Sequence, residues 1–330
     1  MRTRALARGL FVAMVVALAV TACGESGGGG GGGRGQVTGL KILVGTAPGG
    51  GFDLTARTAA KVMEDARLAR NVEVQNLPGA GNTIALQRLV NEKGNGKVMQ
   101  QMGLGLVGGV YTNKSKATLD QTTPVARLTE EPEIVVVKKE SPYQSFDQLL
   151  TEWKADPGKL AVGGGSSPGG PDHLAPMLIA KTAGIDPKQV NFVSYDGGGE
   201  LLAALLGNQL AFGVTGVGEV KDQIEAGEIR PLAVSSAEPV EGVDVKTLKE
   251  QGVDLEFTNW RGWVAPPELS GEDKQALIDL ATEMHDSQQW KDALAQNRWT
   301  DAFITGDEYG AFLKSESQRV GDVLCELGLT

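Results

Sequence analysis

With two cysteines, two histidines and aromatic residues at 5% of its 330 positions, this chain is short of the side chains on which most enzymes are built. The cysteines, Cys23 and Cys325, and the histidines, His173 and His285, form no cluster with metal-ligand spacing, so no metal and no cofactor is expected. The same scarcity excludes a disulfide framework. Cys325 shares an apolar stripe with Val320, Leu324 and Leu327 and is expected to be a buried, inert thiol. His285, on a polar helix, is expected to face solvent. Basic residues are outnumbered, 31 against 41 acids, and a net charge of −10 disfavours nucleic acid or anionic lipid as a partner. Leu10–Val20 is too short to span a bilayer, which takes ~20 apolar residues.

That stretch follows Arg2, Arg4 and Arg8, and together they read as an export signal. Val20-Thr21-Ala22-Cys23 then matches a bacterial lipobox. Residues 1–22 are therefore expected to be a lipoprotein signal peptide, with Cys23 lipidated and residues 23–36, nearly all glycine, a flexible tether. Loss of Met1–Ala22 removes three arginines and no acid, taking the charge from −10 to −13. The mature protein is expected to be extracytoplasmic, anchored to the cell membrane rather than integral, and monomeric.

Glycine is abundant, at 46 residues, and gathers into five turns. They are Gly45-Thr-Ala-Pro-Gly-Gly-Gly-Phe-Asp53, Asn76-Leu-Pro-Gly-Ala-Gly-Asn-Thr83, Gly163-Gly-Gly-Ser-Ser-Pro-Gly-Gly-Pro-Asp-His173, Asp196-Gly-Gly-Gly199 and Gly213-Val-Thr-Gly-Val-Gly218. None contains Lys or Arg. Each follows a short apolar run and precedes a helix-like run. A helix N-terminus behind such a turn offers unpaired N–H groups and partial positive charge. Facing one another, these turns would line a cleft with backbone donors, which suits a small anion such as a carboxylate.

Strands are expected at 40–44, 72–76, 98–104, 134–138, 160–163, 190–195, 210–214, 231–235 and 260–265. Helices are expected at 52–68, 83–91, 146–154, 172–183, 200–206, 218–226, 270–286, 288–297 and 307–327. This alternation predicts an α/β fold of mostly parallel sheets covered by helices, with ligands at the carboxyl ends of strands, where the glycine turns fall. Residues 37–137 and 261–330 are expected to form a discontinuous first domain and 138–260 a second, joined by a two-strand hinge.

Gly165-Ser-Ser-Pro-Gly169 fits the G-x-S-x-G pattern of a hydrolase nucleophile elbow, with Asp172 and His173 close by. The elbow's oxyanion hole uses the N–H of the residue after the serine, and here Pro168 has none. Ser166 and Ser167 read better as ligand or loop hydroxyls, and the chain is not expected to be an enzyme. Gly103-Leu-Gly-Leu-Val-Gly108 matches a dinucleotide fingerprint, but Glu130 is joined to it by no clean βαβ unit, so it reads as a packing turn. Asp172 reads as an N-cap, and His173 as a first-turn residue or a ligand contact. Asp53, Asp196, Glu200 and Glu219 stand near the turns, where uncompensated acids would repel a carboxylate. Either they cap helices and point away, or the ligand also carries a cationic or hydroxyl group.

Six motifs in order along the chain resemble the substrate-binding proteins of tripartite tricarboxylate transporters. These are Gly49-Gly-Gly-Phe-Asp53, Pro78-Gly-Ala-Gly-Asn82, Gly163-Gly-Gly-Ser166 with Asp172-His173, Gly197-Gly-Gly-Glu-Leu-Leu-Ala-Ala-Leu-Leu-Gly207, Ile224-Glu-Ala-Gly-Glu-Ile-Arg-Pro-Leu-Ala-Val234 and Asn259-Trp-Arg-Gly-Trp263 with Pro266. The resemblance implies a two-lobed, periplasmic-binding-protein-like fold that closes on a small carboxylate and delivers it to membrane permease subunits. It implies that Pro48, Gly49, Gly50, Gly51, Phe52 and Asp53, with Gly79, Ala80, Gly81, Asn82 and Thr83, hold one end of the ligand. Gly164, Gly165, Ser166, Ser167 and His173, with Gly197, Gly198 and Gly199, would hold the other. The third turn departs from the commoner family pattern, which leaves the ligand within that class unassigned. A ligand-presenting sensor for a membrane kinase, and a serine hydrolase using Ser167, are the alternatives.

Overall fold

A computed structural model describes residues 37–195 and 197–330. The expected signal peptide, Cys23, the tether and Asp196 lie outside the described residues. In chain order the elements are β1 (Val37–Thr38), β2 (Lys41–Val44), α1 (Gly51–Asp65), β3 (Ala69–Arg70), β4 (Glu73–Asn76), α2 (Thr83–Val90), β5 (Val98–Gly103), α3 (Leu104–Thr112) and β6 (Thr123–Lys138). There follow α4 (Phe146–Ala155), β7 (Ala161–Gly164), α5 (Pro171–Thr182), β8 (Asn191–Ser194), α6 (Gly198–Leu206), β9 (Phe212–Gly216), α7 (Val217–Glu225) and β10 (Ile229–Val234). The chain ends with β11 (Thr258–Ala265), α8 (Gly271–Asp286), α9 (Gln288–Asn297), β12 (Thr300–Thr305) and α10 (Gly306–Glu326).

The sheet runs β4-β2-β5-β11-β6-β9-β7-β8, and β10 and β12 also pair with β6. It is parallel toward both ends, where β2 joins β4 and β5, and β7 joins β8 and β9. The middle is antiparallel, so the sheet is mixed rather than mostly parallel. The cause is β6. Its first part pairs β11 and β12, and its last part pairs β9 and β10. The expected strand at 134–138 is only the end of this 16-residue element. Polar Thr129-Glu-Glu-Pro-Glu133 hides the rest, because Glu131 and Glu133 occupy buried positions that a strand reading assigns to apolar side chains.

Three other expectations change. Gly103–Gly108 is no turn: it ends β5 and opens helix α3, whose apolar residues Leu104, Leu106 and Val107 are all buried. Cys325 is exposed, because on α10 the buried residues are Val320, Gly321 and Leu324 and the next position points outward. His285 is half-buried, stacked on Phe303 at 4.1 Å between Asp286 and Asp301. The main apolar cluster joins Leu43 and Leu86 with Trp153 and Phe212, so one core runs past both parts of β6.

Candidate functional site

The first turn leads into α1, whose N-cap is Gly50 in extended backbone. Asp53 folds back on this turn. It accepts from the Gly49 N–H at 2.9 Å, from Asn76 Nδ2 at 2.9 Å and from Arg57 Nε at 2.9 Å. Burial pushes its carboxyl up, but these hydrogen bonds outweigh that and hold it below its ordinary value. The acid thus ties the first turn to Asn76, where the second begins. Arg57 is half exposed, so Arg57→Ala is expected to cost about 0–1 kcal/mol in urea unfolding. A loss several times larger would show that the pair is buried in effect.

The second turn is strained. Gly79, Ala80, Gly81 and Asn82 all have positive φ, at 129°, 48°, 59° and 73°. Ala80 has a Cβ that disfavours this region, whereas Asn82 is of a type that tolerates it, and such strain persists only where surroundings impose it. Helix α3 imposes it: a Cβ on Gly81 would lie 2.8 Å from the Gly109 Cα. A Cβ on Gly108 would strike the backbone of Gly169 in the third turn. The glycines of α3 therefore let one helix wedge between the second and third turns, offsetting a helix cost of about 1 kcal/mol each.

The third turn is knotted internally. The Gly165 N–H donates to Asp172 Oδ2 at 2.7 Å, the Asp172 N–H to Ser166 Oγ at 3.1 Å, and the Gly169 N–H to His173 Nδ1 at 3.2 Å. His173 is buried edge-on to Phe192, and burial lowers its pKa to about 4, so it is neutral. Gly170, not Asp172, is the N-cap of α5, and Asp172 reaches back to the turn instead. Gly165 is half-buried and packs against the fourth turn, where a Cβ on it would lie 2.7 Å from the Gly197 carbonyl carbon. Around Gly49, Gly197 and Gly199, by contrast, a Cβ would meet nothing within 4 Å.

At the centre lies a charged cluster that the residue patterns did not disclose. Glu131 and Arg261 form an ion pair, with side chains 2% and 3% exposed. Glu133 is 1% exposed, and among the described residues neither of its carboxylate oxygens has a hydrogen-bond partner. Burial and the charges of Asp172, Glu131 and Glu219 push its pKa well up. Asp172 is raised to about 6, chiefly by burial. Glu219 is exposed as a residue, yet its carboxylate sits by Gly198 and accepts from Thr215 Oγ1 at 2.9 Å. Desolvation there, with Asp172 and Glu131 nearby, pushes it up to about 8, while solvent on its open side screens part of those charges.

Four of the five turns border this cluster. A Cβ on Gly51 would lie 2.5 Å from Arg261 Nη2, one on Gly216 2.6 Å from Glu131 Oε1, and one on Gly164 2.7 Å from the Asp172 Cβ; Gly198 abuts Glu219. The second turn reaches it less directly, through Asn82 and Phe52, which both approach Gly105. Glu131 and Glu133 come from β6, and Arg261 from β11. A charged residue between Trp260 and Trp263, and acids just before Ile134, were the available signals. Strand alternation puts Glu130, Pro132, Thr258 and Trp260 on the opposite face. There they line a separate groove of about 1180 Å3 with Arg127, Arg298 and Arg319, away from every glycine turn.

Residues 55–329 match the family described as tripartite tricarboxylate transporter family receptor. Protein BugT of Bordetella pertussis is 26% identical over 302 residues, which cover 88% of this chain and 89% of that one. MatC from Rhodopseudomonas palustris, solved with bound malate, is 22% identical with a TM-score of 0.75 over 87% of this chain and 99% of that one. Another R. palustris protein, solved with adipate, is 22% identical with a TM-score of 0.78 over 88% and 97%. The α/β architecture is that of two-lobed periplasmic solute-binding proteins.

Proposed function

The chain belongs to the tripartite tricarboxylate transporter receptor family, and we propose that it captures a small carboxylate between two lobes and hands it to membrane permease subunits. The observation that carries this reading is the convergence of the first turns of α1, α5, α6 and α7 on one polar centre. Amides at the start of a helix lack an i−4 carbonyl and complement an anion; α5 contributes its position rather than a donor, because Pro171 has no N–H and the Asp172 N–H is taken by Ser166. The malate and adipate bound by the two R. palustris proteins are ligands of this class. The lobes in this reading are residues 37–137 with 261–330, and residues 138–260, with β6 and β11 as the hinge. The glycine-turn residues from Pro48 to Gly199 supply the contacts. Lipidation of Cys23 by two acyl chains would hold the receptor at the membrane, where one chain alone binds marginally.

A thermal-shift panel of dicarboxylates, tricarboxylates, amino acids and aromatic acids tests the reading. At one hundred times Kd a true ligand stabilises by about 2.7 kcal/mol. That raises Tm by roughly 5–10 °C for a protein of this size. A panel in which sugars or inorganic cations alone move Tm would reject it.

A further inference from the structure

Strand order puts the glycine turns on one side of β6 and the large groove on the other. Along one edge β6 pairs with β11 and then with β9. From there the sheet continues through β5 to β2, and through β9 to β7. The first, third and fifth turns open at the ends of β2, β7 and β9. Along its other edge β6 pairs with β12 through residues 126–130 and with β10 through residues 134–138. The groove of about 1180 Å3 lies at the gap between those two strands. One wall is residues 236–242, just after β10, and the other is Leu294, Ala295 and residues 298–300, at the start of β12. Arg298 reaches from the second wall to the first side, with Nη2 2.8 Å from Glu225 Oε1 and Nη1 donating to the Glu241 carbonyl at 3.3 Å.

On the turn side the two halves already touch. A Cβ on Gly108 of α3 would lie 1.9 Å from the Gly169 carbonyl oxygen of the third turn, and one on Gly105 would lie 4.0 Å from Pro171 Cδ. This conformation is therefore shut at the turns and wide at the groove. Two bodies that pivot on shared strands approach on one side by parting on the other. To admit a solute the turns must separate, which drives residues 236–242 toward residues 294–300 and takes volume out of the groove.

We infer that this groove is a control site for solute capture: whatever keeps its walls apart favours the closed lobes and tightens binding at the turns, while touching neither solute nor turns. The inference rests on the two-lobed capture reading. A site competent only when closed has an apparent affinity reduced by the closed fraction, so a filled groove raises affinity up to the reciprocal of that fraction. Ala237 and Ala295 are small, exposed and on opposite walls. A large side chain at either position has room in this conformation and loses it as the walls approach.

Ala237→Trp and Ala295→Trp test this by two measurements. One is X-ray scattering from the solute-free protein; the other is calorimetry with the α,ω-dicarboxylates from malonate to adipate. Each variant is expected to show a smaller solute-free radius of gyration than the unmodified protein, and a scattering curve closer to that of this conformation. The Kd of a dicarboxylate that binds the unmodified protein is expected to fall at least about threefold. Ala155→Trp, at the exposed end of α4 and outside the groove, is expected to change neither quantity. Unchanged scattering and affinity in both groove variants, weaker binding, or the same shift from Ala155→Trp overturns the inference and leaves the carboxylate reading standing. Closure seen by scattering in the groove variants alone, with no dicarboxylate bound by any of the proteins, supports the control site and counts against the carboxylate reading.

Discussion

Arg261→Met should lower the unfolding free energy by about 3–5 kcal/mol, the usual cost of removing one partner from a buried ion pair. For a chain of this length that corresponds to a fall in Tm of roughly 6–20 °C. Arg261 is 2% exposed, pairs with Glu131, and is the cation whose charge acts on Glu133 and Glu219. Without it, four carboxylates share one enclosed space. The loss should therefore be larger at pH 8 than at pH 5, where protons replace the guanidinium. Adding Glu131→Gln to Arg261→Met should recover at least half of the loss, because the double variant buries one charge fewer. Urea and thermal unfolding of both variants decide this. A single-variant loss below about 1 kcal/mol would mean that the pair behaves as a surface pair.

The ligand-free protein should also lose stability as pH rises from 6.5 to 8.5. Glu133, Asp172 and Glu219 all have pKa values raised in the fold, Asp172 to about 6 and Glu219 to about 8. The folded state therefore keeps protons that the unfolded chain has lost. That contribution is complete below the ordinary carboxylate values of 3.8 and 4.5, and it drains away as pH climbs through about 6 and about 8. His173 has the opposite sign. Its pKa is lowered from 6.5 to about 4, so its contribution is complete above 6.5 and is lost as pH falls toward 4. Above pH 6.5 the histidine is flat and the carboxylates act alone. Allowing for solvent at the open side of Glu219, the decline should be on the order of 1–2 kcal/mol. Glu133→Gln should reduce it. A Tm that holds constant or rises across this window would show that the cluster is already ionised and compensated at pH 6.5.

Much of the fold was legible because it depends on local rules. The apolar runs at Lys41–Val44 and Phe212–Gly216, each ended by glycines and followed by a helix, carry their own punctuation. The glycine turns were visible as turns, and four of them do gather at one centre. Helix α3 was not legible, because a run of four glycines in Gly103–Gly109 contradicts helix propensity, and only the backbones of Gly81 and Gly169 pressed against it explain the composition. The length of β6 was hidden for the reverse reason. Its acids look like loop until Arg261, 130 residues later, comes to lie beside Glu131.

By itself the sequence determined the class of the fold, the positions of the turns and their lack of basic side chains, all of which follow from neighbours close along the chain. It also stated the electrostatic problem, since acids stood near most of the glycine turns. It could not solve that problem, because whether an acid caps its own turn or faces a shared cavity depends on what packs against it. Tertiary structure separated the cases. Asp53 is spent on Gly49, Asn76 and Arg57 within its own turn. Glu133 is sealed beside Asp172, Glu131 and Glu219 by strands distant in sequence, with no donor among the described residues to meet it. Burial and charge pairing are sums over contacts from the whole chain, so they became fixed only when β6 and β11 brought those residues together.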